Sequence, residues 1–405
     1  MRADKAYKEA IQYYGGNNHV GKLRGKYDNV RTFWEDPLTG YFIKPYLDKL
    51  ITQRQEANKG IRIKELGCGA GEGYDFLTGI SLDKSEETLI PNKVLEYYNG
   101  VDLNQELLLE ANKRFEDKVN VEFFSGDFSE GLPVDQSEQS YDLYFTAYAT
   151  LSHCNNEELE KLFSDIAKHG ENGSILVADW IGRYSYEWQN HWTSNPEQKN
   201  FLDYKLNFYS DRAKEVSTFP LRMMSPQEVE KIVQNASEKS NKNLEIVGFL
   251  DRSMIIGRHI ETGCYNNNPQ PIRSMVNSLH EPGHRTYLPN LLFDYEPRPG
   301  FEWQNKKLKE VADCWNSLVR YTVQLLDIDN PEKGLPNPPK TSYDCLKRAY
   351  NVIRKTVEMS NLLYGDVRAN LIEKQLGFSL RNIEINMQKG LGLGHSLIAV
   401  IRVNK

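Results

Sequence analysis

The stretch from Glu65 to Gly73, read as Glu65, Leu66, Gly67, Cys68, Gly69, Ala70, Gly71, Glu72 and Gly73, constrains the fold more than any other part of the chain. It directly follows a β-prone run at 61–66, and its glycines alternate. Glycines just after a strand let the backbone turn tightly and come close to a ligand, because no Cβ intervenes. A helix that opens on such a turn points its free N–H groups at that ligand. The dinucleotide-binding pattern GxGxxG fails on register. Counted from Gly67 and Gly69 its third glycine would fall on Glu72, and counted from Gly69 and Gly71 on Tyr74.

Around this loop the pattern alternates. Further strands are predicted at 97–103, 119–125, 141–147 and 174–179, with helices over 105–115 and 157–169. Strands alternating with helices predict an α/β domain with a parallel sheet and crossover connections. Upstream, Tyr46, Leu47, Leu50 and Ile51 share one helical face, and Pro45 suits a helix that starts at or beside it. Beyond residue 182 the alternation stops. Helices are expected over 226–236, 308–326, 343–363 and 366–376, with loops at 266–271 and 331–340. Runs 379–387 and 396–403 read as strands six and seven of a closing antiparallel hairpin; the alternative makes 244–249 the sixth strand. The expected division is an N-terminal helical lid (1–58), an α/β core (59–182), an insert on the acceptor side (183–365) and a closing helix and hairpin (366–405).

Two acids complete the pattern. Asp102 ends the second strand, and Asp127, followed by Phe128, comes after the third. Each alone could be a helix-capping acid, but capping does not account for their joint placement after consecutive strands. An acid before alternating glycines, followed by these two acids and by Tyr141, Asp142 and Leu143 at the fourth strand, resembles the class I S-adenosylmethionine-dependent methyltransferases. The resemblance implies a Rossmann-like seven-stranded, mostly parallel sheet with an antiparallel last strand, here with a large, mostly helical insert. It implies S-adenosylmethionine as cofactor and S-adenosylhomocysteine as product. Asp102 would receive the two ribose hydroxyls, which suits a carboxylate because it accepts two hydrogen bonds at once. Asp127 would read the adenine amino group with Phe128 beside the ring. The implied cofactor-side set is Tyr27, Arg31, Glu65, Gly67, Cys68, Gly69, Gly71, Asp102, Leu103, Asp127, Phe128 and Thr146, with Tyr27 and Arg31 in the lid.

Methyl transfer is a direct displacement at a sulfonium carbon, so the protein mainly aligns donor and acceptor. A base is needed only where the acceptor carries a proton at neutral pH. His153, after the fourth strand, and Asp179, at the end of the fifth, are the catalytic candidates. The aromatic run Tyr184, Tyr186, Trp188, His191 and Trp192 would form either a wall over the acceptor or the packing face of an added subdomain. His280, Glu281 and His284 match the letters of HExxH, but Pro282 and Gly283 would break the helix that zinc chemistry requires, so no metal is expected.

Composition narrows the partners. With 50 Lys plus Arg against 56 Asp plus Glu, the net charge of −6 disfavours a general nucleic-acid binder. Five scattered cysteines, a charged N-terminus without an apolar run and no long apolar stretch point to the cytoplasm and to no membrane span. A small-molecule acceptor is expected, with the insert shaping its pocket or pairing with a second copy of the chain. The other readings are a non-catalytic cofactor-binding or regulatory protein, and an RNA or protein methyltransferase. An exposed base nitrogen as acceptor would call for Asn-Pro-Pro-Tyr after strand four, where this chain has Thr146, Ala147, Tyr148 and Ala149.

Overall fold

The computed structural model describes residues 28–79, 88–135, 137–195, 200–205, 218–327, 334–359 and 365–404. Tyr27 lies outside them. Five parallel strands, β1 (Ile61–Leu66), β2 (Leu95–Asp102), β3 (Val121–Ser125), β4 (Leu143–Phe145) and β5 (Ile175–Gly182), stand in the order β3-β2-β1-β4-β5. Beside β5, β9 (Ser396–Asn404) runs antiparallel, and β8 (Asn243–Arg252) pairs antiparallel with β9. The seven-stranded, mostly parallel sheet with an antiparallel last strand is therefore present. Two more strands, β6 (Phe201–Lys205) and β7 (Thr218–Met224), form a hairpin whose β7 joins the end of β5 at Ile181 and Gly182.

Alternation along the inner strands explains why both faces are covered. On β5 and β9, Ile175, Val177, Ile398 and Val400 face one apolar cluster, while Leu176, Ala178, Ala399 and Ile401 face another. Helix α1 (Asp36–Glu56) packs on the first face through Ile43, Leu47 and Leu50. Helix α2 (Glu72–Gly79) follows β1, α3 (Gln105–Arg114) follows β2, and α4 (Asn156–His169) covers the second face through Leu159, Leu162 and Ile166. An Asn155–Glu158 capping box starts α4, and α5 (Pro226–Ser240) lies beside it, with Asn235 donating to Glu160 at 2.7 Å.

The remaining helices, α6 (Ile272–Leu279), α7 (Glu302–Leu326), α8 (Asp344–Glu358) and α9 (Glu373–Met387), enclose a third apolar core with Trp34, Trp188, Trp315 and Leu380.

Three expectations need correction. The run 379–387 is helix, not strand: Leu376, Leu380 and Ile383 are buried at helical spacing, and Gly377 does not break the helix. It stands where a Cβ would come within 2.6 Å of the His280 ring. The closing hairpin is therefore β8 with β9, so strand six is the 244–249 run, and the larger insertion, 253–395, falls between strands six and seven. Finally, α1 begins at Asp36 and carries Pro45 inside it.

Candidate active site

The ends of β1 to β5 open on one cavity of about 580 Å³, roofed by the β6–β7 hairpin and by the segments flanking β8 and β9. Of the expected residues, Arg31, Glu65, Gly67, Cys68, Gly69, Asp102, Leu103, Asp127, Phe128 and His153 line it. Gly71, Thr146 and Asp179 do not.

The loop after β1 is built for close approach. Gly67 has φ +71°, and a Cβ there would meet Thr150 Cγ2 at 2.4 Å. Gly73, also on the cavity wall, leaves room for the buried Glu65 carboxylate, which a Cβ would meet at 2.0 Å; Tyr98 O–H donates to that carboxylate. Burial, then Glu65 and Asp102, push the Cys68 thiol well above its ordinary value, so it stays protonated.

At the tip of β2, Asp102 Oδ2 accepts from Gly69 N–H at 2.9 Å and Oδ1 from Asn104 N–H at 2.8 Å, which fixes the carboxylate against the glycine loop. Asn104 caps α3 through Oδ1, accepting from Glu106 and Leu107. Its buried Nδ2, on the same wall, has no hydrogen-bond partner among the described residues. Asp127 Oδ1 accepts from Ser129 N–H at 2.9 Å, with Phe128 beside it.

After β4 the chain is strained. Tyr148 (φ +53°) and Ala149 (φ +61°) are consecutive left-handed non-glycine residues, a conformation costing about 1–3 kcal/mol each. Asp179 maintains it, accepting from Tyr148 N–H at 2.9 Å and from Arg252 Nη2 at 3.0 Å. The Tyr148 ring lies under two guanidinium groups, Arg31 at 4.0 Å and Arg252 at 4.8 Å. Asp179 is buried behind this loop, and burial raises its carboxyl pKa against the pull of Arg252. Thr146 Oγ1 likewise ties β4 to β5, donating to Val177 O at 3.1 Å.

Several lining residues were not anticipated. Phe201, Tyr204, Phe219 and Leu221 come from the β6–β7 hairpin, and Glu35, Arg252, Arg258 and His395 from the seam with the insert. His153 stacks on Phe219 with ring centroids 5.5 Å apart, and burial pushes its imidazole down to about 4. The Tyr184–Trp192 run resolves as packing: Tyr186, Trp188 and Trp192 are buried in the insert core. His280 lies just beyond the end of α6 and stacks on Phe33 at 4.7 Å.

The seam is ionic and buried. Arg273 donates to Asp28 through Nε at 2.9 Å and to Glu35 through Nη1 at 2.9 Å, and Arg258 Nη2 donates to Glu35 at 3.3 Å. Burial opposes ionisation of Glu35, yet Arg273 and Arg258 hold its carboxyl well below the ordinary range. Among the described residues no helix is long and apolar enough to cross a membrane.

The fold and cavity together define a Rossmann-like α/β domain with a glycine loop and two strand-end acids on a single ligand site. Residues 63–173 match the family model described as a methyltransferase domain. That part of the chain is a class I S-adenosylmethionine-dependent methyltransferase domain, and S-adenosylmethionine is its cofactor. No curated protein matches the sequence. Similar solved structures include an S-adenosylmethionine-dependent methyltransferase from Clostridium acetobutylicum, 17% identical, covering 55% of this chain and 84% of that chain with a TM-score of 0.34. Another, from Methanosarcina mazei, is 14% identical over 48% of this chain and 84% of that chain, TM-score 0.34. The glycopeptide N-methyltransferase MtfA, complexed with S-adenosylmethionine, is 14% identical over 50% of this chain and 79% of that chain, TM-score 0.32.

Proposed function

We propose that this protein methylates a small-molecule acceptor inside the cavity, in the cytoplasm. The observation that carries this reading is that the glycine loop, Asp102 and Asp127 share one cavity with the aromatic side chains of the β6–β7 hairpin. A site of this size, walled by Phe201, Tyr204, Phe219 and Leu221, has the apolar lining of small-ligand pockets. The five cysteines are free thiols, in keeping with a reducing compartment.

The residues present fit the cofactor. Gly67, Gly69 and Gly73 give the backbone close approach, Asp102 would accept from the ribose hydroxyls, and the unpartnered Asn104 Nδ2 on the same wall would be a further donor. Asp127 would accept from the adenine amino group beside Leu103 and Phe128, and Arg31 would supply a guanidinium for the carboxylate; all four line the cavity. When bound, the cofactor supplies an electrophilic methyl group on a sulfonium sulfur. The chain's own contribution is alignment and exclusion of water, with the hairpin side chains walling the acceptor. Asp179 acts behind the site, holding the strained Tyr148 backbone in place. Tyr27 belongs in this proposal as the lid residue named from the sequence.

The test is an extract of cellular metabolites incubated with the protein and methyl-labelled donor. Label should enter one class of low-molecular-weight product. Label found only in RNA or protein, or no transfer from a protein that the donor stabilises, would replace this reading with one of its alternatives.

A further inference from the structure

One buried titratable pair has no part in the alignment just described. His395, immediately before β9, lines the cavity, and its Nδ1 lies 2.6 Å from Glu187 Oε2. Glu187 is only 1% exposed; its other oxygen accepts the backbone N–H of His259. Gly257 makes room for this carboxylate, because a Cβ there would meet Glu187 Oε2 at 2.0 Å. The backbone of His395 is equally fixed, donating to Ser253 O at 3.1 Å and accepting from Gly182 N–H at 3.1 Å. Trp188 packs on its ring at 5.4 Å.

A carboxylate against Nδ1 settles the tautomer. Burial works against ionisation of Glu187, but His395 and His259 together keep the carboxyl below its ordinary range. An ionised carboxylate only accepts, so Nδ1 is the nitrogen that donates to it, and Nε2 is the other ring nitrogen. His259 and Asp179 are further titratable groups that act on this imidazole electrostatically. His153, on the same cavity, is held down to about 4 by burial. Aromatic rings line the same cavity: His153 and Phe219 stack with 25° between their planes, and Tyr204 lies 5.8 Å from Phe219, tilted by 48°. Aromatic side chains favour ring partners, offset-stacked or edge-to-face.

Resting on the methyltransferase reading above, we propose that the acceptor is a planar aromatic compound bearing a hydroxyl group. It seats against Phe219 and Tyr204, and His395 Nε2 takes its proton while Glu187 positions the imidazole. The oxygen lone pair forms the new O–C bond as the C–S bond breaks and its electron pair returns to sulfur. The hydroxyl proton passes to Nε2, and the resulting imidazolium is balanced by Glu187 until it releases the proton to water. An amine acceptor would attack with its own lone pair and would not require this pair.

The test uses 4-nitrophenol, whose phenolate absorbs in the visible, with the S-adenosylhomocysteine complex below the pH at which the free phenol ionises. The wild-type protein should bind it and develop the phenolate band. His395→Gln and the shorter His395→Asn should still bind it, measured calorimetrically, while losing the band at least ten-fold. Glu187→Gln should weaken the band several-fold, and a thermal shift with S-adenosylhomocysteine identifies the folded variants. A band that persists in the folded His395 variants overturns the proposal. So does failure of 4-nitrophenol to bind a protein that S-adenosylhomocysteine stabilises, with the methyltransferase reading left standing. No stabilisation of the wild-type protein by S-adenosylhomocysteine would remove that reading and this proposal together.

Discussion

On one side of the cavity, Gly67, Asp102 and Asp127 each lie within two residues of the strand that carries them; on the other, Arg258, Phe219 and His395 come from three separate stretches of chain. The first group is positioned by parallel pairing, since β1, β2 and β3 end side by side. The second is positioned by buried charge. Asp28 and Arg273 are 245 residues apart in sequence, and with Glu35 and Arg258 they fasten the N-terminal turn to the segment after β8 and to α6. Local geometry thus sets the cofactor side, and long-range ion pairing sets the acceptor side. The two sides should fail in different ways.

The largest effect is expected where the seam is broken. Arg273→Met leaves buried Asp28 and Glu35 with Arg258 as their remaining ion-pair partner among the described residues, and removing one partner from such a network costs about 3–5 kcal/mol. Urea unfolding should report that loss, while the surviving folded protein keeps its thermal response to S-adenosylhomocysteine. If the response disappears with the seam, the two sides are not separable.

Glu384 on α9 tests the same seam through pH. It accepts from Ser253 N–H at 2.8 Å and Met254 N–H at 3.2 Å, and burial pushes its carboxyl up to about 7. The folded state then holds its proton more tightly than the unfolded chain. Its contribution is at its best below the unfolded value near 4.5, declines as pH rises through 7, and is flat above. The decline amounts to about 3 kcal/mol at most. Glu384→Gln should flatten the fall in unfolding free energy over this window; an unchanged pH profile would remove Glu384 as its source.

Much of the cofactor side was legible in the sequence because its signals are local. The run 61–66, the glycines after it and the acids at 102 and 127 each announce a strand end, and strand ends are where a parallel sheet collects its ligand groups. The errors arose where meaning depends on a distant partner. Ile383, Ile385 and Met387 alternate like a strand, yet the helix is decided by the burial of Leu376, Leu380 and Ile383 in a core shared with Trp315. Gly377 reads as punctuation until the His280 ring is found against it. His395 carries no local signal, since its carboxylate partner is 208 residues away. Phe201 and Tyr204 on the hairpin stand three residues apart, off the two-residue period of a strand face, so neither periodicity nor motif marks them as a wall.

On the cofactor side, Asp102→Ala removes a carboxylate already oriented by Gly69 and Asn104. Loss of hydrogen bonds to a charged group is worth about 2–3 kcal/mol, or roughly 30- to 150-fold in affinity. Calorimetry with S-adenosylhomocysteine should show it, with urea stability little changed. Affinity within a factor of three of wild type would move the ribose contact elsewhere.

The smallest expected effect isolates the acceptor wall. Phe219 is buried, stacks on His153 and touches Tyr204, so Phe219→Leu keeps an apolar side chain in place but takes away the flat face. Aromatic pairing is worth about 0.5–1.5 kcal/mol beyond area, which corresponds to a two- to ten-fold rise in KM for a planar acceptor. Affinity for S-adenosylhomocysteine should stay at the wild-type value, because Phe219 belongs to the hairpin and not to the strand ends that hold Asp102 and Asp127. The acceptor identified by labelled-methyl transfer is the substrate for this measurement. A Phe219→Leu protein that loses cofactor affinity instead would mean that the hairpin covers the cofactor, and that the boundary between the two sides lies closer to β6 than to Tyr148.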